Sequence, residues 1–264
     1  MRRNNYFWAA FLILAGGLLL LGNLGIITVN VWKLLWPLFL ILIGAWFLLG
    51  SFFGYPSAEV EEAAIPLEGA TQAKIRVSHG AGRLHVDDSA RASELASGTF
   101  GGGLRHRAKQ DGNTLDVKMS PARHREGFIV WVPNHALNWN FGLNREIPLE
   151  LIFETGAGET HLDLTNLQVT DFSLETGASS NTVLMPANAG YTRAKIDAGV
   201  AAVTVHIPSG VAARIHTDSG LAAINIDQNR FPRQGKVYQS PDYETAANKI
   251  ELDIDTGVSS VSVR

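Results

Sequence analysis

The chain has 264 residues, with 22 Lys and Arg against 25 Asp and Glu, 26 Gly, 10 Pro and no Cys. The absence of Cys excludes a disulfide framework, an iron–sulfur centre, a thiolate zinc site and a cysteine nucleophile. A formal charge of −3 lacks the basic excess of a nucleic-acid binder, so no nucleic acid is expected among the partners.

The first 55 residues carry Arg2, Arg3 and Lys33 and no carboxylate, so every acidic side chain lies beyond them. Phe7 to Ile27 is uncharged for 21 residues and Leu34 to Phe53 for 20. At about 1.5 Å rise per residue, each run as a helix spans the roughly 30 Å hydrocarbon layer. Residues 1–56 therefore predict a transmembrane helical hairpin, with Asn23, Gly25, Asn30 and Lys33 about the turn and Pro37 near the start of the second helix. A cleaved signal peptide over residues 1–28 is the weaker reading, because no Ala-x-Ala site follows the apolar run. Arg2 and Arg3 against the single Lys33 place the N-terminus in the cytoplasm. Two crossings return the chain to that side. The expectation is a two-pass plasma-membrane protein with its folded domain cytoplasmic and the lipid bilayer as its first partner.

Residues 57–68 read as a linker, and from 69 to 264 the chain repeats itself. Glu154-Thr155-Gly156, Glu175-Thr176-Gly177, Asp197-Ala198-Gly199, Asp218-Ser219-Gly220 and Asp255-Thr256-Gly257 are copies of one motif, their glycines 21, 22, 21 and 37 residues apart. Ser78-His79-Gly80 is a degenerate copy 76 residues before Gly156. Apolar residues alternate with polar ones on both sides of each glycine, as in Phe172 and Leu174 before and Val203 and Val205 after. Such period-two alternation marks strands with one buried face. A glycine at each corner implies positive φ or a close backbone approach. One unit cannot bury its own apolar face, so neighbours must stack. The predicted domain is an all-β, solenoid-like, two-sheet stack with rungs of about 21 residues and insertions about 90–145 and 230–247. Asp111-Gly112 predicts a hairpin turn in the first insertion.

Chemistry-bearing patterns are few. His79 and His85 flank Gly80-Ala81-Gly82 and would face each other across a hairpin, with Asp87 or Asp88 as further metal ligands. The spacing matches no known ligand set, and exposed strand or turn histidines are the favoured reading. No glycine-rich stretch leads into a helix or a Gly-Lys-Ser/Thr, and no Gly-x-Ser-x-Gly occurs. No catalytic, cofactor-binding or metal-binding residue is assigned, and no enzyme is expected. Glu154, Glu175, Asp197, Asp218 and Asp255 share one position in the repeat and would form a row about 5 Å apart. A solvated row relieved by Lys195 and His216 is favoured over a calcium ladder.

Arg105-His106-Arg107 and Arg123-His124-Arg125 both lie in the first insertion and would form one basic patch for anionic head groups or an acidic partner; the competing reading is a soluble loop. The chain ends on Ser259-Ser260-Val261-Ser262-Val263, which reads as an uncapped, open-edge strand available to a partner or a second copy.

The stretch LLLLGNLGIITVNVWKLLWPLFLILIGAWFLL resembles the membrane region of LiaF-like proteins. Trp139-Asn140-Phe141-Gly142-Leu143-Asn144-Arg145-Glu146-Ile147-Pro148-Leu149-Glu150, running into ETGAGETHLDLTNLQV, resembles the β domain of that family, the toast-rack fold. The resemblance implies a membrane-anchored regulator of a cell-envelope stress response, with a sensor histidine kinase or related membrane protein as partner. The alternative is a scaffold in which solenoids assemble through open edges into homo-oligomers.

Overall fold

The structure is a computed structural model. It describes residues 60–122, 137–235 and 237–264, together with Ile13, Gly16, Leu24, Pro37 and Phe39–Ile41. The chain divides into two compact units, Met1–Ser57 and Ala58–Arg264. In the first, Ile13, Gly16, Pro37 and Phe39–Ile41 are helical and Leu24 lies in a turn. Most of the predicted hairpin lies outside the described residues, and among those described no helix is long and apolar enough to cross a membrane.

The second unit is built from strands β1 (Val60–Pro66), β2 (Gln72–Asp87), β3 (Glu94–Gly101), β4 (Leu104–Asp111), β5 (Thr114–Pro121), β6 (Asn138–Leu143) and β7 (Pro148–Asp163). They are followed by β8 (Gln168–Leu184), β9 (Tyr191–His206), β10 (Ala212–Ile226), β11 (Arg233–Gln234), β12 (Val237–Gln239) and β13 (Lys249–Val263). Six long strands lie parallel in the spatial order β2-β7-β8-β9-β13-β10. Each consists of two arms that meet at a glycine, and the inward-facing parity changes there. In β7 the first arm buries Leu149, Leu151 and Phe153, the second Thr160 and Leu162. Both arms contribute to one apolar core.

The pairing register aligns the repeats. Ser78, Glu154, Glu175, Asp197, Asp255 and Asp218 stand opposite one another on successive strands, so the degenerate triplet is a rung like the rest. Close approach, rather than positive φ, is what requires glycine at the corner. A Cβ on Gly156 would lie 2.2 Å from the carbonyl oxygen of Gly80, and one on Gly177 would lie 2.7 Å from that of Gly156. Neither corner residue has a positive φ, whereas Gly158, two positions on, does.

The terminal strand departs from the expected order. Ser259–Val263 is not an open edge, because β13 inserts between β9 and β10 and pairs with both, Val261 opposite Val203 on one side and Ile224 on the other. The 230–247 segment makes this possible. It runs back along Arg214–His216 of β10 as β12 and then carries the chain across to the gap beside β9. Flanked on both sides, β13 pairs its backbone with both neighbours except about the corner at 257–259, and Val261 and Val263 are each 1% exposed.

The β2 end of the stack is closed. The first arm of β2 pairs with β5 and the second with β6, which continues through β3 to β1. Beneath this cap Trp139, Phe141 and Phe100 pack edge-to-face and stacked, and Trp139 Nε1 donates to the Gly101 carbonyl at 3.1 Å. Buried Asn144 ties the following turn. Its Nδ2 donates to the carbonyls of Ala92 and Glu94, and its Oδ1 accepts from the Glu146 N–H. Residues of the Trp139–Glu150 motif thus join the cap to β7. The Asp111-Gly112 turn closes an antiparallel β4–β5 hairpin, with Gly112 at φ 57°.

Candidate functional site

The outward positions of the first arms form three charged rows. Farthest from the corner lie Lys74, Glu150, Asp171, Arg193, Glu251 and Arg214, where opposite charges meet across every pair of strands except β7 and β8, whose Glu150 and Asp171 are neighbours. Lys74 pairs with Glu150, and the Tyr191 hydroxyl donates to Glu251. The next row holds Arg76, Lys195, Asp253 and His216. At the corner stands the acidic row, of which Glu154, Glu175, Asp197 and Asp255 line an open groove of about 990 Å³.

The acidic row is relieved unevenly. Glu154 accepts from Arg76 at 2.7 Å and from Ser78 Oγ at 2.8 Å, and these two hydrogen bonds hold its carboxyl below the usual range. Lys195 sits 2.8 Å from Asp197, whose hydrogen bond and charge raise the ammonium above its ordinary value, with Asp255 and Glu175 adding to it. One lysine thus serves three carboxylates. The row is solvated and partly compensated, and among the described residues no group of three or more metal-ligating side chains converges.

The histidines are distributed otherwise than the sequence suggests. His79 and His85 do not face each other across a hairpin, since β2 runs unbroken through both. His79 is buried, not exposed, beside Trp139, and its Nε2 donates to the Leu137 carbonyl at 2.9 Å. His85 instead stacks on His161 of the next strand, 5.1 Å between centroids. Burial pushes the His79 imidazole below its ordinary value, and the bond to Leu137 offsets this only in part. The neutral ring is therefore the folded form. Its contribution to stability is fully present above the unfolded value near 6.5 and is lost as pH falls through the folded one. The thermal midpoint is expected to drop between about pH 7.5 and about pH 5.5, and His79→Gln to flatten that drop. Equal slopes in both proteins would show that His79 does not supply it.

Arg105, His106 and Arg107 lie exposed on β4, Arg105 donating to Ser120 Oγ across the hairpin. Arg123, His124 and Arg125 lie outside the described residues, as does whether the two triplets share one patch.

Residues 55–206 match the family model described as the N-terminal domain of toast-rack. The chain belongs to the toast-rack family. Residues 6–48 match a LiaI-LiaF-like transmembrane region, which makes the toast-rack domain membrane-anchored. No curated protein matches the chain. Its fold is similar to the crystal structure of a candidate cell adhesion protein from Clostridium sporogenes. The two are 23% identical, the match covers 78% of this chain and 98% of that one, and the TM-score is 0.70.

The match to the toast-rack model ends at His206, the last residue of β9. Beyond the corner the second arms of β2 and β7 stay charged, with Arg83 paired to Glu159, but the surface then changes character. The second arms Ala178–Leu184, Val200–His206, Val258–Val263 and Leu221–Ile226 contain no Asp, Glu, Lys or Arg. Their outward rows are Ala, Ser, Thr, Val, Leu and Asn225, with His206 at the far end, and are headed by Val200, Val258 and Leu221 at 63, 55 and 79% exposure. This uncharged face escapes a search for motifs, since it is defined by which strands are neighbours.

Proposed function

We propose that this toast-rack protein is a non-enzymatic regulator of a cell-envelope stress response, and that its β domain binds a signalling partner such as a sensor histidine kinase. The carrying observation is the union, in one chain, of a LiaI-LiaF-like transmembrane region and a toast-rack domain. The matched membrane region ends at residue 48 and β1 begins at Val60. Even fully extended, residues 49–59 reach only about 40 Å, which confines the domain to the membrane-proximal part of any partner. Two crossings with Arg2 and Arg3 inside place the domain on the cytoplasmic face.

Regulation then follows from differential affinity: the domain favours whichever partner state it binds more tightly. The groove complements a basic segment of that partner, because Glu175 and Asp255 stand exposed in the acidic row. Deleting the gene is expected to change the output of a sensor kinase under a cell-wall antibiotic. A chain carrying Glu175→Lys and Asp255→Lys should fold yet restore less than a tenth of the effect. Kinase output that is indifferent to the deletion would sink the regulatory reading, while full restoration by the double variant would move the contact off the groove.

A further inference from the structure

Among the described residues, three strands longer than a turn have an edge without a partner strand: β1, β4 and the second arm of β10. Two of them are guarded. β1 carries Glu61, Glu62 and Pro66, and β4 carries Arg105, Arg107, Lys109 and Asp111. Charges and proline on an edge oppose pairing with another chain. The third edge, Ser219–Ile226, has neither charge nor proline. β12 covers β10 only over Arg214–His216, so the second arm is bare. Leu221 stands exposed there, and Ile224 is only partly buried against the core.

We infer that this edge pairs with the same edge of a second copy of the chain, giving a two-fold dimer whose sheet runs through both molecules. Several features select a second copy. The opposite end of the stack is closed by β5 and β6, so end-to-end growth has no second bare end to use. Like edges meet antiparallel about a two-fold axis, which closes the assembly at two. The edge borders the uncharged face, so pairing over Ser219–Ile226, between Asp218 and Asp227, desolvates no charged side chain of that segment while satisfying bare backbone groups. Ala222 and Ala223 at its middle let two backbones approach without displacing bulk. The transmembrane region confines copies to one surface and raises their effective concentration. The dimer is independent of the regulatory reading: it is read on the protein itself, the other on kinase output.

The chain's lack of Cys provides the test. Directly opposed residues of an antiparallel pair have Cα atoms about 4.5–5.5 Å apart, within disulfide reach. In the full-length protein in its membrane, Leu221→Cys, Ala223→Cys and Asn225→Cys are made singly and mildly oxidised. At least one is expected to give a reducible covalent dimer as the main product, against a trace from Ala108→Cys on guarded β4. Adding Leu221→Lys to Ala223→Cys or Asn225→Cys should cut the dimer at least tenfold with the thermal midpoint unchanged. No dimer from any of the three, a yield matched by Ala108→Cys, a cross-link to a different protein, or insensitivity to Leu221→Lys would each overturn the proposal.

Discussion

A chain that stops at Asn248 is expected to lose its folded β domain, not merely to shed an end. Removal of Lys249–Arg264 takes out β13, which lies between β9 and β10 and pairs with both along nearly its whole length. It also removes Ile250, Leu252, Ile254, Val261 and Val263 from the core, each no more than 2% exposed. At about 1.5–3 kcal/mol per buried aliphatic side chain, the loss is on the order of 10 kcal/mol. A domain's whole stability is about 5–15 kcal/mol. In a solenoid whose last strand sat at the end, the same truncation would cost one interface and leave the other rungs standing. Urea unfolding followed by far-UV circular dichroism separates the cases. A cooperative transition retained at a modestly lower midpoint would put β13 at the end after all.

Alanine substitutions along the glycine column should be graded by distance, not uniform. Gly158→Ala is expected to be severe, since its Cβ would stand 1.9 Å from the Gly82 carbonyl oxygen at a φ of +144°. Gly156→Ala meets Gly80 at 2.2 Å and should also cost about 3 kcal/mol or more, because a backbone carbonyl cannot swing aside as a side chain can. Gly199→Ala and Gly220→Ala, at 3.2 and 3.3 Å, need only a small shift and should cost about 1 kcal/mol. Gly80→Ala is the internal control, with nothing within 4 Å of its Cβ, and should stay within about 0.5 kcal/mol. Denaturation midpoints that failed to rank this way would return the explanation to backbone conformation.

Individual residues show where reading along the chain stops. The inward positions of β7 through β9 are legible because alternation is local: Leu151, Phe153, Leu174 and Ile196 announce their face by their neighbours two positions away. The acidic row is legible too, since equivalent positions in stacked repeats must align. The burial of His79 is not, because it depends on Leu137 and Trp139, 58 and 60 residues further on. The burial of Asn144 is not legible either, because its partners are the carbonyls of Ala92 and Glu94, 52 and 50 residues back.

Sequence alone determined the unit: two arms, a glycine corner, an outward carboxylate and a buried stripe, all set by a period of two. Tertiary structure alone decided which unit lies beside which. Six equivalent strands offer nearly equal local patterns to any neighbour, so their order is chosen by the connections and by what covers each edge. The segment at 230–247 spends its length crossing β10, and that detour makes the last strand an interior one and leaves Ser219–Ile226 at the rim.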